Sequence, residues 1–321
     1  MMLPVSLPSK RSRLRGAMYG LLVGDALGVP YEFASARELP VSSLIEMEPP
    51  PGFARAHKGV PIGTWSDDGA QALHLLRVLL HGDSGIESRL AAGLQAWSAT
   101  GELTPDGRVF DIGIQTREAL SRLASGVPPN QSGPYEEQNN GNGSLMRVLP
   151  AALVPAEHDY VLIDRARRQS LPTHGHARSL LACSLSTLVS ARLLVGKTFV
   201  QALDDAQEVL EQTVGQAERD ELRVLLDGRL DEPQGSGYVV DCLWSAVAAV
   251  LRTSNFEDCL RCAIGFGNDT DTTACVAGGW AGLIYGEEGI PTRWRAQLRG
   301  KHLVEPLLES LTRTWELAAR T

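Results

Sequence analysis

Apolar residues recur at steps of three and four along most of this chain, the spacing that places them on one face of an α-helix. Four such runs occupy positions 73–80, 200–214, 246–251 and 307–315. A fifth run, 178–195, is apolar on more than one face, as in a central helix, and it ends before Gly196. No run alternates between apolar and polar residues as a half-buried strand does. The pattern therefore predicts an all-α protein.

Clusters of proline and glycine interrupt the helical pattern at 48–52, 126–133 and 227–237. None has the length of a linker, no internal repeat is visible, and polar motifs occur on both sides of each cluster. We therefore expect a single domain, residues 13–321, in which these clusters are loops. Residues 1–12 lack the apolar segment of a secretory signal, and we interpret them as a short basic leader that is poorly ordered.

Composition and charge narrow the range of functions. Of the 321 residues, 43% are apolar, and 30 basic against 38 acidic side chains leave a formal charge of −8. Such a chain lacks the basic surface of a sequence-independent nucleic-acid binder. Phosphate groups would instead be held by backbone amides or metal ions. Because no apolar run approaches the length of a membrane span, we expect no membrane partner.

Five cysteines lie within helical, apolar patterns. An odd number of cysteines in such positions predicts reduced, buried thiols in a cytoplasmic protein. Cys259 and Cys262 form a C-x-x-C without a second pair, in a run that also carries Phe256 and Leu260. We interpret both cysteines as helix core rather than as zinc ligands or a redox pair, and we expect the protein to be a monomer.

A first cluster of acids, GTWSDDG at 63–69, directly precedes the helix that contains Leu73. Ser66 or Asp67 could cap that helix, since hydroxyls and acids are favoured at helix N-termini. Capping explains two adjacent acids less well, because neighbouring side chains on a helix point about 100° apart. Two hard oxygen donors beside a hydroxyl suit Mg²⁺ or Mn²⁺.

A second cluster, GFGNDTDTT at 265–273, again carries acids and hydroxyls to the start of a helix. The glycine and glutamate of an EF-hand calcium loop are missing at their spacings. Capping by Thr272 is the simpler alternative. Because the two acid clusters lie about 200 residues apart in the sequence, one shared metal site accounts for both better than two separate caps.

A third segment, 139–147, reads NNGNGSLMR and is followed by an expected helix. Small, flexible residues let backbone amides approach an anion. The segment matches neither a Walker loop nor a dinucleotide-binding motif. A structural turn is the alternative interpretation.

Acidic and histidine side chains occur in three further segments. Asp25 interrupts the apolar stretch 20–33, whose glycines at 20, 24 and 28 favour close helix packing, and a buried acid needs a partner. Glu32 follows that helix, where a solvent-exposed position is the alternative. Thr173 could cap the next helix, and His174 could contact a ligand, with a structural role as the more common alternative for a lone histidine. Asp111 is most simply an N-cap.

Six segments, in this order, resemble the ADP-ribosylglycohydrolase family, which includes the dinitrogenase reductase-activating glycohydrolases. They are GLLVGDALGVPYE, GTWSDDGAQAL, FDIG-x-x-T, NNGNGSLMRVLP, PTHGHA and GFGNDTDTTACVAGGWAG. The resemblance extends over residues 13–286, which is most of the chain. The resemblance implies a compact, single-domain orthogonal helical bundle with two Mg²⁺ or Mn²⁺ ions in a central cleft. The all-α class inferred from the periodicity agrees with it.

The resemblance also implies roles for individual residues. The metal ligands would be Ser66, Asp67, Asp68, Asp269, Asp271 and Thr272, with Glu32 at or next to the metals. ADP-ribose would be held by Asn140, Gly141, Asn142, Gly143, Ser144, Met146 and His174. The catalytic roles would fall to Glu32, Asp68 and Asp111. The family often has threonine where this chain has Ser66, and either hydroxyl can coordinate a metal ion.

The implied reaction is metal-dependent hydrolysis of the glycosidic bond between ADP-ribose and an acceptor, which releases ADP-ribose. The segment around Asp111 resembles the arginine-cleaving branch of the family, so an ADP-ribosylated protein arginine is the expected substrate. Serine, nucleic-acid and small-molecule conjugates are the alternative acceptors. A metal-dependent phosphoesterase and a binding module that does not cleave ADP-ribose are the alternative functions.

Overall fold

The computed structural model describes residues 7–228 and 232–319. Within them, fifteen α-helices follow one another along the chain. They are α1 (Lys10–Gly28), α2 (Asp67–Leu79), α3 (Ile86–Thr100), α4 (Ile114–Ala124), α5 (Pro129–Ser132), α6 (Pro150–Leu153), α7 (Asp159–Ser170), α8 (Ala177–Leu194), α9 (Phe199–Thr213), α10 (Arg219–Asp227), α11 (Val239–Arg252), α12 (Phe256–Gly265), α13 (Thr270–Tyr285), α14 (Thr292–Gln297) and α15 (Lys301–Ala318). The described residues contain isolated β-bridges but no strand, which confirms the predicted all-α class.

Helices α1 and α13 pack backbone to backbone along their glycines. A Cβ atom added to Gly20 would lie 2.2 Å from Gly278 O, and one added to Gly24 would lie 2.0 Å from Ala274 O. Larger residues at these positions would force the two helices apart. The glycines noted in the sequence of α1 are therefore a packing surface, and their contact with α13 places the end of α1 beside the start of α13.

The predicted apolar faces are confirmed, with two local exceptions. Residues of these faces that are buried include Leu73, Leu76, Ala206, Leu210, Val247, Val250, Leu308 and Leu311. Val200 is exposed, because Phe199 before it takes the core-facing position at the start of α9. Leu251 is exposed beside the buried Val250 for the same reason, since neighbouring side chains on a helix point about 100° apart.

Helix α8 is the central helix that the sequence predicts for 178–195. By length and composition alone it could cross a membrane, since its 18 residues have a mean hydropathy of 1.2. However, 83% of that segment is buried inside the fold, as in a core helix. The five cysteines are free thiols, and all are buried except Cys262, which is partly exposed. Cys259 and Cys262 therefore belong to the core side of α12, as interpreted.

The N-terminal boundary differs from the predicted one. Helix α1 begins at Lys10, where the side chain of Ser9 accepts a hydrogen bond of 3.1 Å from Ser12 N and so caps the helix. The predicted leader, 1–12, therefore overlaps the first turn of α1. Residues 1–6 of that leader lie outside the described residues.

Candidate active site and metal centre

The end of α1, the starts of α2 and α13, and the loops before α4 and α6 meet around one cavity of about 530 Å³. Predicted site residues that line it are Glu32, Asp67, Asp68, Asp111, Gly141, Asn142, Gly143, Met146, His174, Asp269 and Thr272. The fold thus brings together residues from all six sequence motifs. Ser66, Asn140, Ser144 and Asp271 are buried around this cavity without lining it.

Asp25 organises the start of α2. Its carboxylate accepts hydrogen bonds from Ser66 N (2.9 Å) and Gly69 N (2.8 Å). Ser66 occupies the N-cap position, as expected, and its Oγ accepts from Asp68 N at 3.3 Å. Burial raises the pKa of Asp25 to about 7. Because these groups satisfy the helix terminus, the carboxylates of Asp67 and Asp68 can face the cavity.

The start of α13 meets the start of α2. Asp269 occupies the N-cap position, so capping by Thr272 is wrong. The Thr272 hydroxyl instead donates to Asp68 Oδ1 at 3.4 Å, across 204 positions of sequence. Asn142 Nδ2 donates to Asp269 Oδ2 at 2.8 Å, which ties the 139–147 loop to the second acid cluster. The two acid clusters therefore adjoin one cavity, as their pattern predicts.

The chemistry of this donor set fits divalent cations. Asp68 Oδ2 and Asp271 Oδ2 are buried and have no hydrogen-bond partner among the described residues. One carboxylate oxygen each of Glu32, Asp269 and Asp271 lies within 4.8 Å of the others. Burial, and then the neighbouring carboxylates, raise the pKa of Asp67, Asp68 and Asp271 well above the ordinary value. A hard cation relieves this desolvation and repulsion.

Glu32 is buried in the site, so the solvent-exposed alternative is wrong. Its Oε2 forms a short contact with His57 Nε2, and ligand atoms of Glu32, His57 and Asp111 lie within 4.8 Å of one another. Phe33 and Phe110 flank the His57 ring, with centroid distances of 5.6 and 5.1 Å. His57 carries no sequence signal for this role, because it lies in a proline- and glycine-rich loop outside every motif.

Asp111 does not cap α4, because that helix begins at Ile114 and Gly113 occupies the cap position. The backbone of Asp111 is in the left-handed region, with φ of 59°. Phe33, His57 and Asn268 at the same site also have positive φ, of 65°, 47° and 59°. Such conformations in non-glycine residues are sparsely populated and cluster at functional sites. The surrounding structure therefore holds these side chains in place against a local backbone preference.

The 139–147 loop forms one wall of the cavity. A Cβ atom added to Gly143 would lie 2.8 Å from His174 Cε1, so the loop backbone lies directly against that ring. The side chains of Asn140 and Ser144 point into the protein, where their oxygens accept from Ser179 Oγ (3.0 Å) and Ser170 Oγ (2.8 Å). Any contact of these two residues with a ligand would therefore come from their backbone.

The helix expected after the 139–147 loop is present as the four-residue α6, which begins at Pro150 and ends before Val154. The expected capping of α8 by Thr173 is wrong, because His176 caps that helix by accepting a hydrogen bond from Arg178 N at 3.2 Å. Thr173 Oγ1 instead bonds His174 Nδ1 at 2.8 Å, which orients the buried ring toward the cavity. Burial lowers the pKa of His174 well below its ordinary value, so the ring is neutral.

Further cavity residues that the sequence analysis missed include Phe33, Gln115, Gln138 and Gly237. Gln115 supports the loop, since its Nε2 donates to Asn139 O (3.0 Å) and its Oε1 accepts from Gly141 N (3.2 Å). A glutamine on a helix has no sequence signal that separates such a role from an ordinary surface position. Phe33, directly after Glu32, could have been noted as an apolar residue beside the acid.

The chain is similar to known proteins over nearly its whole length. The sequence model of the ADP-ribosylglycohydrolase family matches residues 6–320. The ADP-ribosylarginine hydrolase Tri1 of Serratia proteamaculans (strain 568) is 29% identical over 311 residues, which cover 96% of this chain and 81% of the relative. The ADP-ribosyl-dinitrogen reductase glycohydrolase of Rhodospirillum rubrum is 29% identical over 299 residues, which cover 91% of this chain and 92% of the relative.

A solved structure named "ADP-ribosylglycohydrolase-related protein complex" is similar throughout. Its TM-score is 0.77 at 31% sequence identity, and the match covers 95% of this chain and 98% of that chain. At this identity and coverage, the similarity extends to the helical architecture as a whole.

Proposed function

This chain belongs to the ADP-ribosylglycohydrolase family, and from that premise we propose that it removes ADP-ribose from modified arginine side chains of proteins. The observation that carries the proposal is the meeting of two acid clusters and a glycine-rich loop around one cavity. The acids suit a reaction in which positive charge develops on a ribose ring, since nearby carboxylates stabilise that charge.

The proposed acceptor, arginine, rests on two observations. Relatives such as Tri1 of Serratia proteamaculans are named ADP-ribosylarginine hydrolases. In this chain Asp111 lines the cavity close to Glu32, although it has no capping role. A guanidinium group carries a fixed planar charge that a carboxylate holds by paired hydrogen bonds. A serine acceptor offers no such charge.

We propose two divalent ions, Mg²⁺ or Mn²⁺, as cofactors. They would be held by Asp67, Asp68, Asp269, Asp271, Thr272 and Ser66, with Glu32 at their edge. Five carboxylates around one cavity, and two of them with unpaired buried oxygens, support that number of charges. When bound, such ions polarise oxygen ligands and lower the pKa of bound water.

Glu32 is the proposed acid or base of the reaction. Burial, and then the neighbouring Asp111, raise the pKa of Glu32 to about 11, and burial and neighbouring charges are the means by which proteins adjust the pKa of a catalytic carboxyl group. The contact with His57 Nε2 fixes the orientation of the Glu32 carboxylate toward the cavity. Asp68 lines the same cavity from the first turn of α2, where it can stabilise positive charge on the ribose.

The 139–147 loop and His174 would hold the ADP-ribose part of the substrate. Gly141 and Gly143 expose loop backbone to the cavity. The neutral His174 ring also lines the cavity and packs against Gly143. Since the chain has a net charge of −8, backbone amides and bound cations are the groups that would attract a diphosphate. We further propose that the protein acts as a monomer in the cytoplasm.

A product analysis tests the proposed function. The purified protein is incubated with an arginine-linked ADP-ribosyl peptide, with Mg²⁺ or Mn²⁺ or with a chelator, and the products are separated by chromatography. We expect intact ADP-ribose, and only with metal. Release of AMP would identify a phosphoesterase instead. Binding of ADP-ribose without turnover would identify a binding module.

A further inference from the structure

Arg147 is a fully buried guanidinium whose hydrogen-bond partners are all neutral. It is 0% exposed. Nε donates to Gln169 Oε1 (3.0 Å), and Nη2 donates to Gln169 O (2.8 Å) and Thr173 Oγ1 (2.6 Å). Nη1 donates to Gln71 Oε1 (2.7 Å) and Gly143 O (3.0 Å). The five donors of the side chain are thus satisfied, yet no carboxylate in the described residues accepts from it.

This arrangement is unusual for a buried charge. Buried charges in proteins are paired with an opposite charge or bind metal, because desolvation without compensation is unfavourable. Arg165, 5% exposed, follows that rule, since Asp83 accepts from its Nε at 2.6 Å and from its Nη2 at 2.9 Å. A role in packing alone would not require Arg147 to lack a carboxylate as a direct hydrogen-bond partner.

The partners of Arg147 belong to three walls of the cavity. Gly143 O is in the 139–147 loop, and Thr173 Oγ1 also bonds the His174 ring. Gln71 lies in α2, and its Nε2 donates to Asp67 Oδ2 at 3.1 Å. The Arg147 charge therefore lies directly behind the loop that lines the cavity. Only the Gln71 side chain separates it from Asp67, a predicted metal ligand.

We propose that Arg147 is a positioning residue whose missing counter-charge is the diphosphate of the bound ADP-ribosyl group. Its positive charge attracts the anion through the loop, and the same charge opposes the cations that bind beside Asp67. This inference rests on the proposed function for the identity of the anion. Arg147 does not line the cavity, so it acts through Gly143, Thr173 and Gln71.

An electrostatic role predicts opposite changes in the affinities for an anion and for a cation. Removing the positive charge weakens binding of an anion and strengthens binding of a cation, whereas removing a purely structural support weakens both. At an effective dielectric of about 20, unit charges about 10 Å apart interact strongly enough to change an equilibrium constant roughly tenfold.

The experiment compares Arg147→Met and Arg147→Lys with the wild type, and Arg165→Met serves as a control for the loss of a buried arginine outside the site. Mn²⁺ alone is titrated by electron paramagnetic resonance, and ADP-ribose at saturating Mg²⁺ by calorimetry. Melting curves verify folding, and Arg147→Gln replaces the methionine variant if that variant does not fold.

We expect Arg147→Met to bind ADP-ribose roughly tenfold more weakly and Mn²⁺ severalfold more tightly, with Arg147→Lys closer to the wild type in both. Arg165→Met should change neither affinity. Equal weakening of both ligands in the lysine and methionine variants would overturn the proposal. If wild type binds no ADP-ribose, the proposed function fails, and an unchanged Mn²⁺ affinity in Arg147→Met still overturns the charge role.

Discussion

Asn142 Nδ2 donates a hydrogen bond of 2.8 Å to Asp269 Oδ2, although the two residues lie 127 positions apart in the sequence. The bond joins a residue expected to hold ADP-ribose to a carboxylate expected to bind metal. It orients Asp269, whose backbone N–H donates in turn to Gly235 O at 2.8 Å. We therefore expect ligand binding and metal binding to be coupled through the Asn142 side chain.

Asn142→Ala should lower metal affinity as well as ADP-ribose affinity, because it removes the group that orients the Asp269 carboxylate. Loss of a partner that orients a metal ligand typically lowers metal affinity about 10- to 100-fold. Titration of Mn²⁺ into the variant measures the effect. Asn139→Ala is the matched control, since the Asn139 side chain donates to Glu136 instead. Unchanged Mn²⁺ affinity in Asn142→Ala would show that Asp269 is not part of the metal site.

Metal should stabilise the folded protein, because ions bind the carboxylates of the native site and not those of the unfolded chain. At a free concentration of 100 times Kd, one bound ion adds about 2.7 kcal/mol to the free energy of unfolding. Thermal melts with Mg²⁺ and with a chelator measure this difference. In Asp271→Asn the difference should shrink strongly, since its Oδ2 is one of the unpaired buried oxygens. A full metal effect in that variant would exclude Asp271 as a ligand.

Glu32→Gln should lose turnover and retain ADP-ribose binding, because glutamine keeps the size of the side chain but cannot accept a proton. Loss of a positioned acid or base typically lowers the rate about 100- to 10,000-fold. His57→Gln should lower kcat less, since it removes only the contact that orients Glu32. Steady-state kinetics and calorimetry measure both variants. Near-normal turnover of Glu32→Gln would transfer the role to Asp68 or Asp111.

Asp111→Asn should lower cleavage of an arginine-linked peptide strongly and leave binding of free ADP-ribose intact. The substitution cannot act through helix capping, because Gly113 and not Asp111 occupies the N-cap position of α4. The assay compares wild type and variant on arginine-linked and serine-linked ADP-ribosyl peptides. If wild type cleaves both peptides equally, or if the variant is silent, this carboxylate does not select the acceptor.

His74 should make the protein less stable in mild acid. Burial, followed by the neighbouring Arg77 charge, lowers the pKa of His74 to about 4. Because the unfolded histidine titrates near 6.5, protons favour unfolding as the pH falls from about 6.5 to 4, by up to about 3 kcal/mol. Urea unfolding of wild type and His74→Gln across this range measures the slope. The variant should show a flatter profile, and parallel profiles would contradict the assignment.

The sequence determined the helical class, because helix periodicity depends only on local spacing. Steps of three and four residues identify α2, α9, α11 and α15, and the glycines of α1 mark a close helix contact. It also predicted most of the cavity residues, chiefly through the six segments that resemble the ADP-ribosylglycohydrolase family. The residues of all six motifs accordingly meet at one site.

Only the tertiary structure decided which side chains meet. His57 has no motif around it, and its contact with Glu32 depends on how the loop before α2 crosses the end of α1. Asp111 is a plain N-cap by local rules, yet its left-handed backbone turns it toward the acids. Arg147 is a cation in a motif of small residues. Its hydrogen-bond partners come from three other segments of the chain, and all of them are neutral. Local sequence encodes helix periodicity, whereas burial and long-range pairing determine the chemistry of the site and several of the helix caps.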